Sequence, residues 1–366
     1  MTDREQAASA ESSQVDRRPG RDDLDLVTRE ERPYNGEAPL EALSAPVTPT
    51  RNFYVRDHFP VPRIDPDGWR LRVEGEVDRT LSLSLEELRR LGSRTLAVTL
   101  ECAGNGRRAM RPFPGGTPWR FGAVSTGEFT GAPLPRVLER AGVSPEAVEI
   151  VFTGADGGEV EGGREIAFER SLPVAVAEDP EVLLAWGMNG QPLSPSRGGP
   201  VRLVVPAWYG MASVKWLVAV RAVDEPFRGW FQAERYVYRD DAERPDGTPV
   251  TRKRVRAVIA RPGESERLER GPVEVAGTAW SGGVGIRRVE VSADGGEVWH
   301  EARLGEPAGE HAATPWRWVW QASRSGRHVL VARATDEDGE IQPLEPRWNA
   351  HGYGNNVVHR VAVEVV

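Results

Sequence analysis

Apolar residues in this chain recur mainly at strand period, in short runs parted by Gly, Pro, Asp and Asn. Trp69-Arg70-Leu71-Arg72-Val73-Glu74-Gly75 alternates apolar and polar positions, as a strand with one buried face does. Helix signals are few. Ser84 with Glu87 three residues on forms a capping box, which predicts a helix that stops near Gly92. A second helix is expected over roughly Leu134 to Ala141, ending at Gly142. Between 148 and 223, runs such as Val201-Arg202-Leu203-Val204-Val205-Pro206 and Val214-Lys215-Trp216-Leu217-Val218 alternate with Gly/Pro turns. Many strands with few helices predict an α+β domain rather than a regular doubly wound sheet.

Residues 1–45 are polar, charged and aperiodic, and predict a mobile extension ahead of a first domain over 46–245. The stretch Asp240-Asp241-Ala242-Glu243-Arg244-Pro245-Asp246-Gly247 reads as a linker or an ordered crossing loop. Over 251–366 helix signals nearly vanish. Short runs such as Val273-Glu274-Val275-Ala276-Gly277, Val289-Glu290-Val291-Ser292 and Val361-Ala362-Val363-Glu364-Val365 are parted by turns such as Asp294-Gly295-Gly296. They predict an all-β sandwich of immunoglobulin type. Trp280, Trp299, Trp316, Trp318 and Trp320 exceed what so small a core must bury, and predict an interface.

The chain has 366 residues and a net charge of −8, with no basic footprint for nucleic acid. No apolar run approaches the roughly 18 residues of a membrane helix. Arg17-Arg18 is followed by Pro19-Gly20-Arg21-Asp22-Asp23 rather than an apolar segment, so no export signal is read and a cytoplasmic location is expected.

The single cysteine, Cys102, follows the apolar run Thr95-Leu96-Ala97-Val98-Thr99-Leu100 and opens the loop Cys102-Ala103-Gly104-Asn105-Gly106-Arg107-Arg108. One cysteine excludes an internal disulfide and a cysteine-rich zinc or iron–sulfur site. Glycines let backbone and ligand approach, and adjacent guanidinium charge favours thiolate, so the sulfur reads as reactive or metal-bound. Arg56, His58, the Arg197-Gly198-Gly199-Pro200-Val201-Arg202 loop and Gly210-Met211-Ala212-Ser213-Val214-Lys215-Trp216 suit an anionic ligand. On the residues alone, three readings stand: an anionic cofactor with one soft sulfur ligand, a cofactor-free thiol enzyme with His58 as base, and a silent binding module carried by the sandwich.

The Cys102–Arg108 loop resembles the molybdenum-cysteine loop of the sulfite oxidase family of molybdopterin enzymes. The resemblance runs from about residue 50 to the C-terminus. It includes Val55-Arg56-Asp57-His58-Phe59-Pro60-Val61-Pro62, Thr117-Pro118-Trp119-Arg120, Gly154-Ala155-Asp156-Gly157, Pro200–Pro206, Ser213-Val214-Lys215-Trp216 and, in the second domain, Trp280-Ser281-Gly282-Gly283. It implies molybdenum-molybdopterin as cofactor, with Cys102 as the metal ligand and a C-terminal domain that makes a homodimer. Asn52, Val55, Arg56, His58, Asp156, Arg197, Arg202, Ser213, Val214 and Lys215 then fall where the family holds the pterin and its phosphate. Trp119 and one of Arg107 and Arg108 would line the substrate funnel. The implied activity is two-electron oxygen-atom transfer on sulfite or a related small anionic sulfur species. With one cysteine and a short N-terminal extension no haem is expected, so electrons would pass to an external acceptor such as a c-type cytochrome.

Two departures bear on substrate. The family's sulfite oxidisers place a tyrosine near the metal, and the stretch Asp224-Glu225-Pro226-Phe227-Arg228-Gly229-Trp230 puts Phe227 there. They also use an arginine where this chain has His351 in Trp348-Asn349-Ala350-His351-Gly352. Both predict a weaker oxyanion site that gains affinity as His351 protonates toward pH ~6, and they favour an S-oxide or N-oxide reductase as the alternative.

Overall fold

The computed structural model describes residues 24–366. The first domain is built on two five-stranded sheets. In one, Arg94–Glu101, Val124–Pro133 and Leu183–Met188 run antiparallel, and both Gln191–Pro192 and Arg202–Val204 pair with Leu183–Met188. The other has the order Leu81–Ser84, Arg70–Gly75, Leu217–Val223, Glu149–Val160, Arg164–Pro173, with a parallel pairing between Arg70–Gly75 and Leu217–Val223.

The helices are short, as the patterning predicts. Ser84 caps Leu85–Arg89 with the full capping box, its hydroxyl accepting from Glu87 N at 3.2 Å while Glu87 Oε2 accepts from Ser84 N at 2.9 Å. Such a cap is worth about 1 kcal/mol. Leu134–Ala141 ends where Gly142 adopts a left-handed φ of 70°. Among the described residues no helix is long and apolar enough to cross a membrane.

The expected extension over 1–45 is corrected for its second half, its residues 1–23 lying outside the described residues. Val27–Glu31 and Tyr34–Glu37 form a hairpin whose second strand pairs with Val55–Arg56, and Leu40–Ser44 makes a 3₁₀ turn. Its polar side chains are used inward: Asn35 and Glu37 are buried in hydrogen bonds rather than solvated. This is why an aperiodic polar sequence is ordered here.

The stretch after Tyr236 is an ordered crossing loop. Tyr236, Tyr238 and Val250 are buried in the first domain's core, and Tyr238 N donates to Thr248 O at 2.9 Å. Beyond it a four-stranded sheet faces a five-stranded one. Their inner faces, including Val275, Val289, Trp316, Trp320, Leu330 and Val363, make one core. Trp280, Trp316 and Trp320 are thus buried within the chain, while Trp299 and Trp318 are half-buried, which reduces the expected surplus to two.

The two domains meet around the cysteine loop. Lys253 Nζ donates to Thr99 O at 2.5 Å, and Asn355 Nδ2 to Gly106 O at 2.7 Å. Gly106 has a φ of 79°, and a Cβ there would lie 2.2 Å from Arg256 Nη2, so only glycine fits this turn.

Candidate active site

Strand Arg94–Glu101 delivers Cys102 at its end, where Cys102 N donates to Ala123 O at 2.9 Å and Asn105 N closes a turn on Cys102 O at 2.9 Å. The sulfur packs with Phe53, Tyr54, Leu100, Trp119 and Phe129. Burial pushes the Cys102 thiol up despite the pull of Arg56 and Arg107, so among the protein's own groups desolvation outweighs the expected preference for thiolate.

Cys102 opens on a cavity of about 680 Å³. Val55, Arg56, His58, Asp156, Arg197, Arg202, Ser213 and Lys215 line it with Cys102, so residues scattered over 160 positions converge as the resemblance implied. Arg197 donates to Tyr54 O at 3.1 Å and Thr50 O at 2.6 Å, and Arg202 to Arg197 O at 3.1 Å and Ser213 O at 3.0 Å. Burial lowers both guanidinium pKa values to about 10. The Lys215 ammonium pairs with Asp57. Burial raises the Asp156 carboxyl to about 7, the Lys215 charge opposing.

The side chains of Asn52 and Val214 are elsewhere. Asn52 Nδ2 ties down the N-terminal segment by donating to Asp25 O at 2.7 Å, and Val214 belongs to the core.

A second hollow of about 620 Å³ shares Arg56, His58, Cys102 and Tyr236 with the first, and adds Glu30, Arg107, Thr117, Trp119, Arg235 and Tyr353. The Arg107/Arg108 ambiguity resolves here. Arg107 is 7% exposed and lies over the Tyr353 ring at 5.2 Å, whereas Arg108 is exposed over Phe113. Trp119 is fully buried in the wall.

The Phe227 assignment is corrected. Its backbone N donates to Glu149 Oε2 at 3.0 Å, Arg221 covers its ring, and it lines neither cavity. The tyrosine that lines both hollows with Cys102 is Tyr236, directly after the wide helical turn Trp230–Arg235. Its hydroxyl is 2.7 Å from His58 Nε2, and burial pushes its pKa up, keeping the phenol protonated. Burial, with Arg56 next, holds His58 well below the usual histidine range and so neutral. With its proton on Nε2, the neutral imidazole donates to the phenolic oxygen and leaves the phenol's own proton free for another acceptor.

His351 also differs from expectation. It lines neither cavity, and its ring is 5.6 Å from that of Tyr353. Burial lowers its pKa, as do Arg235, Arg239 and Arg107, so His351 takes up charge less readily than the sequence reading assumes. The mouth has a different cation, Arg235, which the motifs did not single out.

The residues fit the group that the resemblance implies. Arg202 Nε and Asp156 Oδ1 are buried at the first cavity with no hydrogen-bond partner, as is Arg107 Nε at the second. Such orphaned groups are costly unless a ligand satisfies them. Among the described residues no three His, Cys, Asp or Glu side chains gather to cage a metal, so a metal at Cys102 would draw its other ligands from a cofactor.

Residues 58–231 match the oxidoreductase molybdopterin-binding domain, and 249–366 match the Mo-co oxidoreductase dimerisation domain. Mitochondrial sulfite oxidase of Rattus norvegicus is 38% identical, the match covering 93% of this chain and 66% of the relative. The chain thus spans just under two thirds of that protein's length. Sulfite oxidase of Arabidopsis thaliana is 31% identical over 93% of this chain and 94% of its own. The crystal structure of the sulfane dehydrogenase SoxCD from Paracoccus pantotrophus superposes with a TM-score of 0.81 at 28% identity, covering 93% of this chain and 87% of that one. By domain content, sequence and fold together, the chain belongs to the sulfite oxidase family of molybdopterin-dependent oxidoreductases.

Proposed function

We propose that this chain oxidises sulfite, or a closely related small sulfur anion, by adding the oxygen of water, with two protons released and two electrons passed to an external one-electron acceptor. The observation that carries this reading is the gathering of Tyr236, Arg56, Arg107 and Arg235 around the opening at Cys102. Molybdenum-molybdopterin, when bound, supplies the two-electron redox chemistry. Cys102 would hold its metal, and Arg197, Arg202, Ser213, Lys215 and Asp156 its pterin and phosphate.

The arginines bind the oxyanion through charge-assisted hydrogen bonds and set its orientation. The protonated Tyr236 phenol, oriented by His58, donates to an oxygen of the reacting group, and buried Trp119 excludes bulk water. The dimerisation domain supports a homodimer. The reductase alternative rested on Phe227 and His351, and with Tyr236 at the opening it retains only His351.

The test is steady-state turnover of protein with one molybdenum per chain, using sulfite with ferricyanide or cytochrome c. S-oxides with a reduced dye and a sulfane sulfur compound serve as rival substrates. Sulfite should give the highest kcat/KM; a brisk S-oxide reduction with negligible sulfite oxidation would overturn the reading.

A further inference from the structure

We propose that Glu30 is a positioning residue that fixes two of the hollow's three arginines, Arg56 and Arg107, and sets how strongly they hold a dianion, a role that rests on the oxyanion reading above. Glu30 comes from the segment that looks featureless in sequence. Its strand pairs with Tyr34–Glu37, which pairs with Val55–Arg56, so Asn35 stands opposite Arg56. Among the described residues lining the substrate hollow, Glu30 is the only carboxylate, and it shares the hollow with Arg56, Arg107 and Arg235.

Glu30 Oε2 accepts two hydrogen bonds, from Asn35 Nδ2 at 2.6 Å and from Thr117 Oγ1 at 2.8 Å. Each donor leads to a different arginine. Asn35, fully buried, uses its Oδ1 to accept from Arg56 Nη1 at 3.3 Å and from Asp57 N at 3.0 Å. The carbonyl of Thr117 accepts from Arg107 Nη1 at 3.2 Å. One carboxylate therefore orients the amide that holds the first guanidinium and the threonine that holds the second. Arginine has much rotamer freedom to lose, so a preset fork binds an anion better than a mobile one.

The same carboxylate carries charge. It lies near enough to Arg56 to favour that group's protonated form. A dianion in the hollow is attracted by the arginines and repelled by Glu30, through little intervening water. Positioning and charge thus act on affinity with opposite sign, and two substitutions separate them.

The experiment uses the molybdenum-loaded full chain, with inorganic sulfate as probe in binding calorimetry and sulfite in steady-state kinetics. In Glu30→Gln the amide oxygen still accepts from Asn35 and Thr117 while the charge is gone. Sulfate Kd should fall about threefold, and sulfite KM should fall with kcat little changed. In Glu30→Ala the Asn35 amide and the Thr117 hydroxyl lose their shared acceptor, so Arg56 and Arg107 are held less firmly, and Kd and KM should rise about tenfold. If Glu30→Ala loses molybdenum or folds poorly, Glu30→Gln decides alone. Equal sulfate affinity in wild type and Glu30→Gln, or weaker binding by that variant, overturns the proposal. A molybdenum-loaded wild type that neither binds sulfate nor oxidises sulfite overturns the oxyanion reading, and the Glu30 role with it.

Discussion

Glu101 and Arg256 meet at 2.8 Å across the boundary between the domains, their side chains 2% and 1% exposed, one residue before the cysteine that opens the active site. The carboxylate is fully engaged: Oε1 also accepts from Asn105 Nδ2 at 3.0 Å, and Oε2 from Trp280 Nε1 at 2.8 Å. Arg256 donates in addition to Asn105 O at 3.2 Å. The second domain therefore reaches under the Cys102 loop and sets its base. The domain named for dimerisation is also part of the active-site scaffold within one chain.

Breaking that pair from one side strands a buried charge. Glu101→Gln, which keeps the shape and leaves Arg256 uncompensated, should cost about 3–5 kcal/mol in urea unfolding. Its molybdenum content should fall as the cysteine loop loosens. A loss below ~1 kcal/mol with full molybdenum would show that the pair does not support the loop.

The tyrosine position yields a paired prediction. Tyr236→Phe removes the hydroxyl beside His58 and should lower sulfite turnover per molybdenum roughly a hundredfold, the usual scale for losing one oriented donor at a reacting oxyanion. Phe227→Tyr, at the position the sequence resemblance suggested, should leave turnover unchanged because that ring lines neither cavity. Kinetics of the two variants in parallel check both halves, and a large effect of Phe227→Tyr would restore the sequence reading.

Legibility followed locality. Cys102 and its Gly/Arg loop, the capping box at Ser84 and the left-handed stop at Gly142 depend on residues close in sequence, and each is visible there. Arg197 and Arg202 were recognisable at the two ends of one glycine-containing segment, and Lys215 in another. Tyr236 was not, because the wide turn Trp230–Arg235 decides which aromatic reaches the cavity. Arg107 and Arg108 cannot be told apart by spacing, since the choice is made by Tyr353, far along the chain. Glu30 and Asn35 are polar residues ordered only by strand pairing and by buried partners on distant segments, a pattern that hydrophobic periodicity does not report.

The cofactor cavity separates holding the metal from holding the pterin. Cys102→Ser replaces a soft thiolate with a harder, far less acidic oxygen, so turnover should vanish while the fold and most pterin remain. Arg202→Ala removes a cation at the anchoring end and should reduce pterin and molybdenum together, with the rate per remaining molybdenum little changed. Metal and pterin analysis of both variants checks the contrast. Equal pterin content in Arg202→Ala and wild type would contradict the anchoring role.

Acid sensitivity has a specific source in the second domain. His359 Nδ1 accepts from Ile259 N at 3.0 Å, so folding requires the unprotonated nitrogen, and burial with Arg256 nearby lowers the pKa from 6.5 to about 3. Above pH 6.5 the ring is neutral in folded and unfolded chains and contributes no pH dependence. Below it, the unfolded chain takes up a proton that the folded chain refuses, so stability falls as pH drops from 6.5 toward 3. At 1.36 kcal/mol per unit, this residue alone should remove about 2 kcal/mol by pH ~5. Asp156 acts in the opposite sense, its folded pKa of about 7 binding a proton that the unfolded carboxylate releases. That contribution is common to wild type and His359→Gln, so the difference between them isolates the histidine. The glutamine amide can still accept from Ile259 but cannot titrate. Urea unfolding at pH 7.5 and 5 should therefore show a loss about 2 kcal/mol smaller in His359→Gln than in wild type, and equal losses would mean that the ring protonates without disturbing the fold.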